Sequence, residues 1–399
     1  MKRVLNIGLI VCLMGIQIGS HGFWSQPSYA LMTCNRPFQS VAPPLIDLQT
    51  DEYIRLGTDA TGFTGGLYPN GSNERPLAHH NAALNQAVQI KPLDVNGNVD
   101  EINGRVVLLT IGMSNTDQES RNFVQKVMAD KNSNSGIVES HFFAVNGAAP
   151  GQSADKWVDV NDSNWQTAIA RLGLIQMGGR PDITAEQVQV VWIKQAHPML
   201  DRTTAFPEHA QDLQADLEQI AQNVMVHFPN AKIAYFSSRT RSYGHWSGAV
   251  DDWGFLNPEP AAYETGFAVK WMIEKQINGD SSLNYNPALG TVRTPLMLWG
   301  PYIWVDSSPR SDGFIWAAED LENDCTHPSS SGEEKIGTAL FEFFSEDETA
   351  VSWFTGAQID PPDPPDPPDP PDPPDPPIDP PDPPVNEEHW LYLPLIFRP

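Results

Sequence analysis

The run RVVLLTIG (105–112) is apolar at nearly every position and rich in β-branched residues and leucine. A strand with one wet face alternates apolar with polar; a strand apolar throughout is buried on both faces and needs a layer of structure on each side. Four more segments read as strands: HFFAVNG (141–147), VQVVWIKQA (188–196), KIAYFSSR (232–239) and TPLMLWG (294–300). Helical spacing fills much of the chain between them. Thr116 and Glu119 form a Thr-x-x-Glu capping box that predicts a helix from Thr116, with Phe123, Val127 and Met128 facing inward. The segment 208–227 sets Leu213, Leu217, Ile220 and Val224 on one face. Ser331 with Glu334 opens a last helix whose inner face is Ile336, Leu340 and Phe344. Strands alternating with helices predict an α/β fold: a three-layer α/β/α sandwich with a mainly parallel central sheet.

The two ends read differently from this body. Lys2 and Arg3, an apolar run from Val4 to Ile18 and the small residues of Ser28-Tyr29-Ala30 form a signal peptide over 1–30, cut after Ala30. The apolar run is shorter than the ~20 residues a spanning helix needs, and Val11 ahead of Cys12 does not suit a lipoprotein site. The expected location is therefore secreted or cell surface. After cleavage two cysteines remain, Cys34 and Cys325. In an oxidising compartment they are expected to pair, two unpaired thiols being the alternative. The folded body spans 31–358. From 359 to 384 the chain repeats Asp-Pro-Pro, which lacks the donors for helix or sheet and predicts an extended polyproline spacer. The apolar tail 385–399 is either a frayed end or a signal for attachment to the cell surface. With 24 Lys and Arg against 50 Asp and Glu, the formal charge is −26. That excludes nucleic acid and anionic membrane as natural partners.

In parallel sheets the chemistry gathers past the C-terminal ends of the strands. Ser114 follows the first strand, Gly147 the second and Gln195 the third. Arg239, Arg241, Tyr243, His245 and Trp246 follow the fourth; Trp299, Tyr302 and Trp304 follow the fifth. Ahead of the last helix stand Asp324 and His327, three apart, so that a carboxylate can hold one imidazole nitrogen and leave the other to take a proton from a hydroxyl. His79, His80, His197 and His209 have no ligand spacing, and no metal or cofactor is expected.

Taken in order, Gly-Met-Ser-Asn (112–115), Gly147 after the second strand, Trp-Ile-Lys-Gln (192–195) and Asp-x-x-His (324–327) resemble the blocks of the SGNH, or GDSL-type, hydrolase superfamily. The resemblance spans roughly Val106 to Phe344. The first block is similar to the Gly-Gln-Ser-Asn form of the carbohydrate acetyl-esterase branch. The third is similar to that branch's Trp-x-Gln-Gly, with Ala196 in place of the last glycine. The resemblance implies a flavodoxin-like sandwich and a triad of Ser114, His327 and Asp324. It also implies an oxyanion hole of the Ser114 and Gly147 N–H groups and the Gln195 amide. Arg239, Tyr243, Trp246 and Trp304 are expected to contact substrate. The expected function is a secreted serine esterase that removes short acyl groups from a carbohydrate or another small ester. Rivals are a thioesterase or lipolytic esterase with the same machinery, and a non-catalytic glycan-binding or cell-surface protein that keeps the fold.

Overall fold

The computed structural model describes residues 41–197, 205–243, 259–306 and 308–358. The elements run α1 (Leu45–Leu48), β1 (Glu52–Arg55), β2 (Asp59–Thr64), α2 (Leu77–Ala87), β3 (Val106–Gly112), α3 (Ser114–Lys131), β4 (Phe142–Asn146), α4 (Ser163–Leu172), β5 (Val188–Lys194), α5 (Glu208–His227), β6 (Ile233–Phe236), α6 (Ala261–Ile277), β7 (Leu296–Trp299), α7 (Ser330–Glu346) and α8 (Val351–Phe354). β1 and β2 form a small antiparallel hairpin. The other five strands form one all-parallel sheet in the order β4-β3-β5-β6-β7.

β3 shows why both faces are covered. All seven of its residues are buried. Val107, Leu109 and Ile111 enter a core with Trp165 of α4, Leu217 of α5 and Phe267 of α6. Val106 and Leu108 enter a second core with Ala83 of α2, Phe123 of α3, Leu340 of α7 and Phe354 of α8. The longer helices α3, α5 and α7 bury one stripe each, α6 is buried nearly all round, and the sheet separates the two cores, which makes the three-layer α/β/α architecture expected from the sequence. The tryptophans enter these cores: Trp157, Trp165, Trp192, Trp299, Trp304 and Trp316 are among the largest fully buried side chains.

The five predicted strands are the five strands of this sheet, each trimmed by a residue or more at its ends. The helix predicted over 208–227 has those bounds, and α7 begins one residue ahead of Ser331. Two local expectations fail. Met128 of α3 faces outward, 44% exposed. The capping box at Thr116 does not form, because α3 begins at Ser114 and both box residues are engaged by β5, as described below. The signal segment 1–30, Cys34, Trp246, the Asp-Pro-Pro stretch 359–384 and the tail 385–399 lie outside the described residues. Among the described residues, no helix is long and apolar enough to cross a membrane.

The sheet order places a topological switch between β3 and β5. The chain leaves β3 for β4 on one side, then returns to β5 and continues to β6 and β7 on the other. The crevice at the C-terminal ends of such a strand pair is where α/β sheets bind ligands.

Candidate active site

β3 turns into α3 with almost no loop. Gly112 ends the strand, Met113 caps the helix and Ser114 is its first residue. A Cβ at Gly112 would lie 2.3 Å from Thr116 Oγ1 and 2.5 Å from the Lys194 carbonyl oxygen, so only glycine fits between the helix start and β5. As the first residue of an 18-residue helix, Ser114 has an N–H with no acceptor inside the helix and lies at its positive end.

The loop before α7 meets this turn from across the chain. His327 Nε2 accepts from Ser114 Oγ at 2.7 Å. His327 Nδ1 donates to Asp324 Oδ2 at 2.5 Å. Asp324 Oδ1 accepts the backbone N–H groups of Thr326 at 3.0 Å and His327 at 2.9 Å. Partial burial raises the Asp324 carboxyl, but the bonds from the His327 ring and from these two N–H groups outweigh it and hold the group below the usual aspartate value. Asp324 therefore stays charged against the imidazole. The turn is tight: Cys325 has φ +58°, a left-handed conformation that side chains other than glycine rarely adopt. Cys325 is disulfide-bonded.

Buried polar side chains fix the pieces to one another. Asn115 Nδ2 donates to the Thr326 carbonyl at 2.7 Å, tying the serine turn to the histidine loop. Thr116 Oγ1 donates to the Lys194 carbonyl at 2.8 Å. Glu119 takes Lys194 Nζ on both oxygens, at 2.5 and 2.6 Å, and both side chains are fully buried. Burial pushes Lys194 down to about 8 even beside that carboxylate. These two bonds are why the capping box is absent: its threonine and glutamate hold α3 against β5 instead. On the other flank, Asn146 Nδ2 donates to the Asp117 backbone oxygen at 2.9 Å and side-chain Oδ1 at 3.1 Å. Arg171 joins Asp117 to the Ala148 carbonyl.

The other predicted residues fare unevenly. The Gly147 N–H donates to the Thr110 carbonyl at 3.1 Å, extending the sheet by one bond, so it does not face an oxyanion beside Ser114. The next two N–H groups are also engaged, Ala148 with Asn146 Oδ1 and Ala149 with the Gly112 carbonyl, both at 3.1 Å. Gly147 is instead a packing glycine, with room for no Cβ against Thr110 and Leu109. Gln195 is buried; its Nε2 donates to the Gln152 carbonyl at 3.2 Å and its Oε1 has no partner. Trp304 is not on a cleft: it is fully buried, packs edge-on against Tyr263 and donates from Nε1 to Glu259 at 2.9 Å. Trp299 and Tyr302 are buried likewise. Tyr243 is half-buried, and its hydroxyl donates to the Trp316 carbonyl at 2.7 Å. Arg239 is buried against Met113. The four histidines set aside as metal ligands each have their own partner: Met297 for His79, Glu348 for His80, Asp216 for His197 and Glu264 for His209.

The sequence reading missed Asn115, Asn146, Asp117 and the Lys194–Glu119 pair. Asn115 and Asn146 had a visible signal, since each adjoins a motif residue, Ser114 or Gly147. The ion pair had none, because its members lie 75 positions apart.

The parallel sheet and the order of the motif-bearing loops agree with the SGNH-type, flavodoxin-like fold. No family model and no curated protein matches the chain. Among solved structures, the periplasmic domain of a lipopolysaccharide acetyltransferase from Salmonella ser. Paratyphi A aligns with 60% of this chain and 84% of its own, at 13% identity and a TM-score of 0.31. The protein YxiM of Bacillus subtilis aligns with 62% of this chain and 58% of its own, at 12% identity and a TM-score of 0.30.

Proposed function

We propose that this chain is an exported serine ester hydrolase of the SGNH type that removes short acyl groups from a carbohydrate. The observation that carries the reading is the relay from Ser114 Oγ to His327 Nε2 to His327 Nδ1 to Asp324 Oδ2, with separations of 2.7 and 2.5 Å. Its serine and histidine are separated by 213 positions of sequence and meet where β3 turns into α3.

The chemistry follows from the hydrogen bonds. His327 takes the Ser114 proton as Oγ attacks the ester carbonyl, and Asp324 stabilises the imidazolium that forms. The carbonyl oxygen becomes an oxyanion beside the Ser114 N–H at the start of α3. The second donor in this reading is the Gln195 amide, just past β5, through the Nε2 hydrogen that its bond to the Gln152 carbonyl leaves over. One such donor contributes about 3 kcal/mol to lowering the barrier. The C–O bond to the alcohol breaks, and the alcohol leaves with the proton from His327. Water then attacks the acyl-serine, gives its proton to His327, and the acid departs as Ser114 is reprotonated.

The carbohydrate part rests on the likeness of Gly-Met-Ser-Asn and Trp-Ile-Lys-Gln to the acetyl-esterase branch. The preference for short acyl groups rests on the lack of an apolar lid segment in the sequence. The test is hydrolysis of 4-nitrophenyl acetate and of a long-chain homologue by the purified full chain. The acetate is the better substrate, and Ser114→Ala lowers its turnover by at least about 10⁴-fold. Equal, slow rates for both forms establish the glycan-binding alternative instead.

A further inference from the structure

Arg239 has no place in the relay, yet it is buried beside it. The residue is 2% exposed. Among the described residues its side chain makes one polar contact, from Nη1 to Met113 Sδ at 3.7 Å, and its Nε has no partner. It forms no ion pair among them. A thioether is a weak acceptor, and a buried cation without a hydrogen-bonded counter-charge is costly to keep.

The carboxylates that act on Arg239 through space are Glu119 and Glu259, and both are engaged elsewhere. Glu119 gives both oxygens to Lys194. Glu259 accepts the Ser242 N–H at 3.0 Å, Trp304 Nε1 at 2.9 Å and the Tyr263 N–H at 3.1 Å. The backbone of Arg239 is fixed by its own N–H, which donates to Thr265 Oγ1 at 3.0 Å. Its segment runs along the site. Arg239 touches the residue before Ser114, and further along the same segment Ser242 and Tyr243 hydrogen-bond to the Cys325 carbonyl, between Asp324 and His327. The side chain between the guanidinium and the serine turn is Met113, whose three flexible torsions allow it to move aside.

We propose that Arg239 receives a carboxylate of the substrate, so that the enzyme selects esters carrying a second, negatively charged group. This rests on the hydrolase reading above. The guanidinium fork matches a carboxylate bidentately, which a lysine cannot do. The carboxylate belongs either to the sugar, as in an acylated uronic acid, or to the acyl group, as in a dicarboxylic half-ester.

Three substrates separate these sources: an O-acetylated methyl glucoside, an O-acetylated methyl glucuronoside, and a methyl glucoside carrying a succinyl half-ester. For the full chain, kcat/KM for one charged ester exceeds that for the neutral one, and the charged substrate that wins names the source. In Arg239→Met the ratio of charged to neutral kcat/KM falls by about 30-fold. Arg239→Lys, which keeps the charge but not the fork, lowers the same ratio by a smaller factor and guards against misfolding of the methionine variant. A ratio near one in the unaltered chain, or one that neither substitution moves, overturns the proposal. Calorimetry on Ser114→Ala, with methyl glucuronoside and monomethyl succinate as probes, decides the matter without turnover. Binding that is lost when Arg239→Met is added upholds the anion site even if no ester is hydrolysed, which would sink only the hydrolase reading. Hydrolysis of the neutral ester with no binding of either probe sinks only the anion site.

Discussion

Asn115 Nδ2 donates to the carbonyl oxygen of Thr326 at 2.7 Å, across 211 positions of sequence. Ser114 and His327 are the immediate neighbours of these two residues, so one buried bond sets how far the hydroxyl lies from the imidazole. Asn115→Ala removes the donor and leaves the Thr326 carbonyl unsatisfied. We expect kcat to fall by about 10- to 100-fold, the cost of misplacing reacting groups by around an ångström, with a smaller change in KM. Asn115→Asp is the sharper test. It keeps the shape but sets an acceptor against an acceptor, and its kcat falls below that of the alanine variant. Equal kcat in Asn115→Asp and the unaltered chain would remove this positioning role.

The Lys194–Glu119 pair predicts a stability effect of another size. Both members are fully buried, and Lys194 ends the strand beside Gly112. Lys194→Met strands the Glu119 carboxylate in the core, which costs about 3–5 kcal/mol in urea unfolding. Adding Glu119→Leu removes the orphaned charge and recovers most of that loss. If the double variant is as unstable as Lys194→Met, the pair's worth lies in packing and not in the cancelling of charge.

How far the sequence alone reaches is clear from these residues. The strands were legible because apolar runs such as RVVLLTIG are buried on both faces, a one-dimensional signature. The meeting of Ser114, His327 and Asp324 was legible because each stands in a short motif past a strand or before a helix, places that a parallel sheet gathers along one edge. The start of α3 was not legible, because Thr116 and Glu119 satisfy a local capping rule while their tertiary partner, Lys194, lies in another strand. Gly147 misled for a similar reason. A glycine after a strand is free to offer its N–H in principle, but the sheet claims it through Thr110. Trp304 misled because a ring past a strand end is as suited to the core as to a cleft, and only its burial decides between them.

Asp324 gives a pH prediction with a definite sign. Its folded pKa is depressed below the ordinary aspartate value, about 3.9. A group depressed in the folded state adds stability that is fully present above its unfolded pKa and is lost as pH falls through the folded one. The stability difference between the unaltered chain and Asp324→Asn is therefore level above about pH 5 and shrinks as pH falls below about 4. In activity the same substitution lowers kcat at neutral pH by about 10²- to 10⁴-fold, because the imidazole loses both its orientation and its counter-charge. Chemical denaturation across pH 2.5–7 checks the first part; a stability gap that widens on acidification would contradict the assignment.

Cys325 joins strain, cross-link and chemistry in one residue. It holds φ +58° between Asp324 and His327, its N–H donates to the Glu322 carbonyl at 2.8 Å, and it is disulfide-bonded. Left-handed backbone costs a side chain about 1–2 kcal/mol relative to glycine. A disulfide contributes typically 2–4 kcal/mol. Reduction should therefore lower both the melting temperature and kcat, since the loosened turn carries the imidazole of the relay and the carboxylate that orients it. Cys325→Ala should reproduce both losses and be indifferent to reductant. Cys325→Gly, which relieves the backbone, should regain about 1 kcal/mol over the alanine variant in denaturant unfolding. Unchanged kcat after complete reduction, verified by thiol titration, would show that the Glu322 bond and the Asn115–Thr326 bond hold the turn without the cross-link.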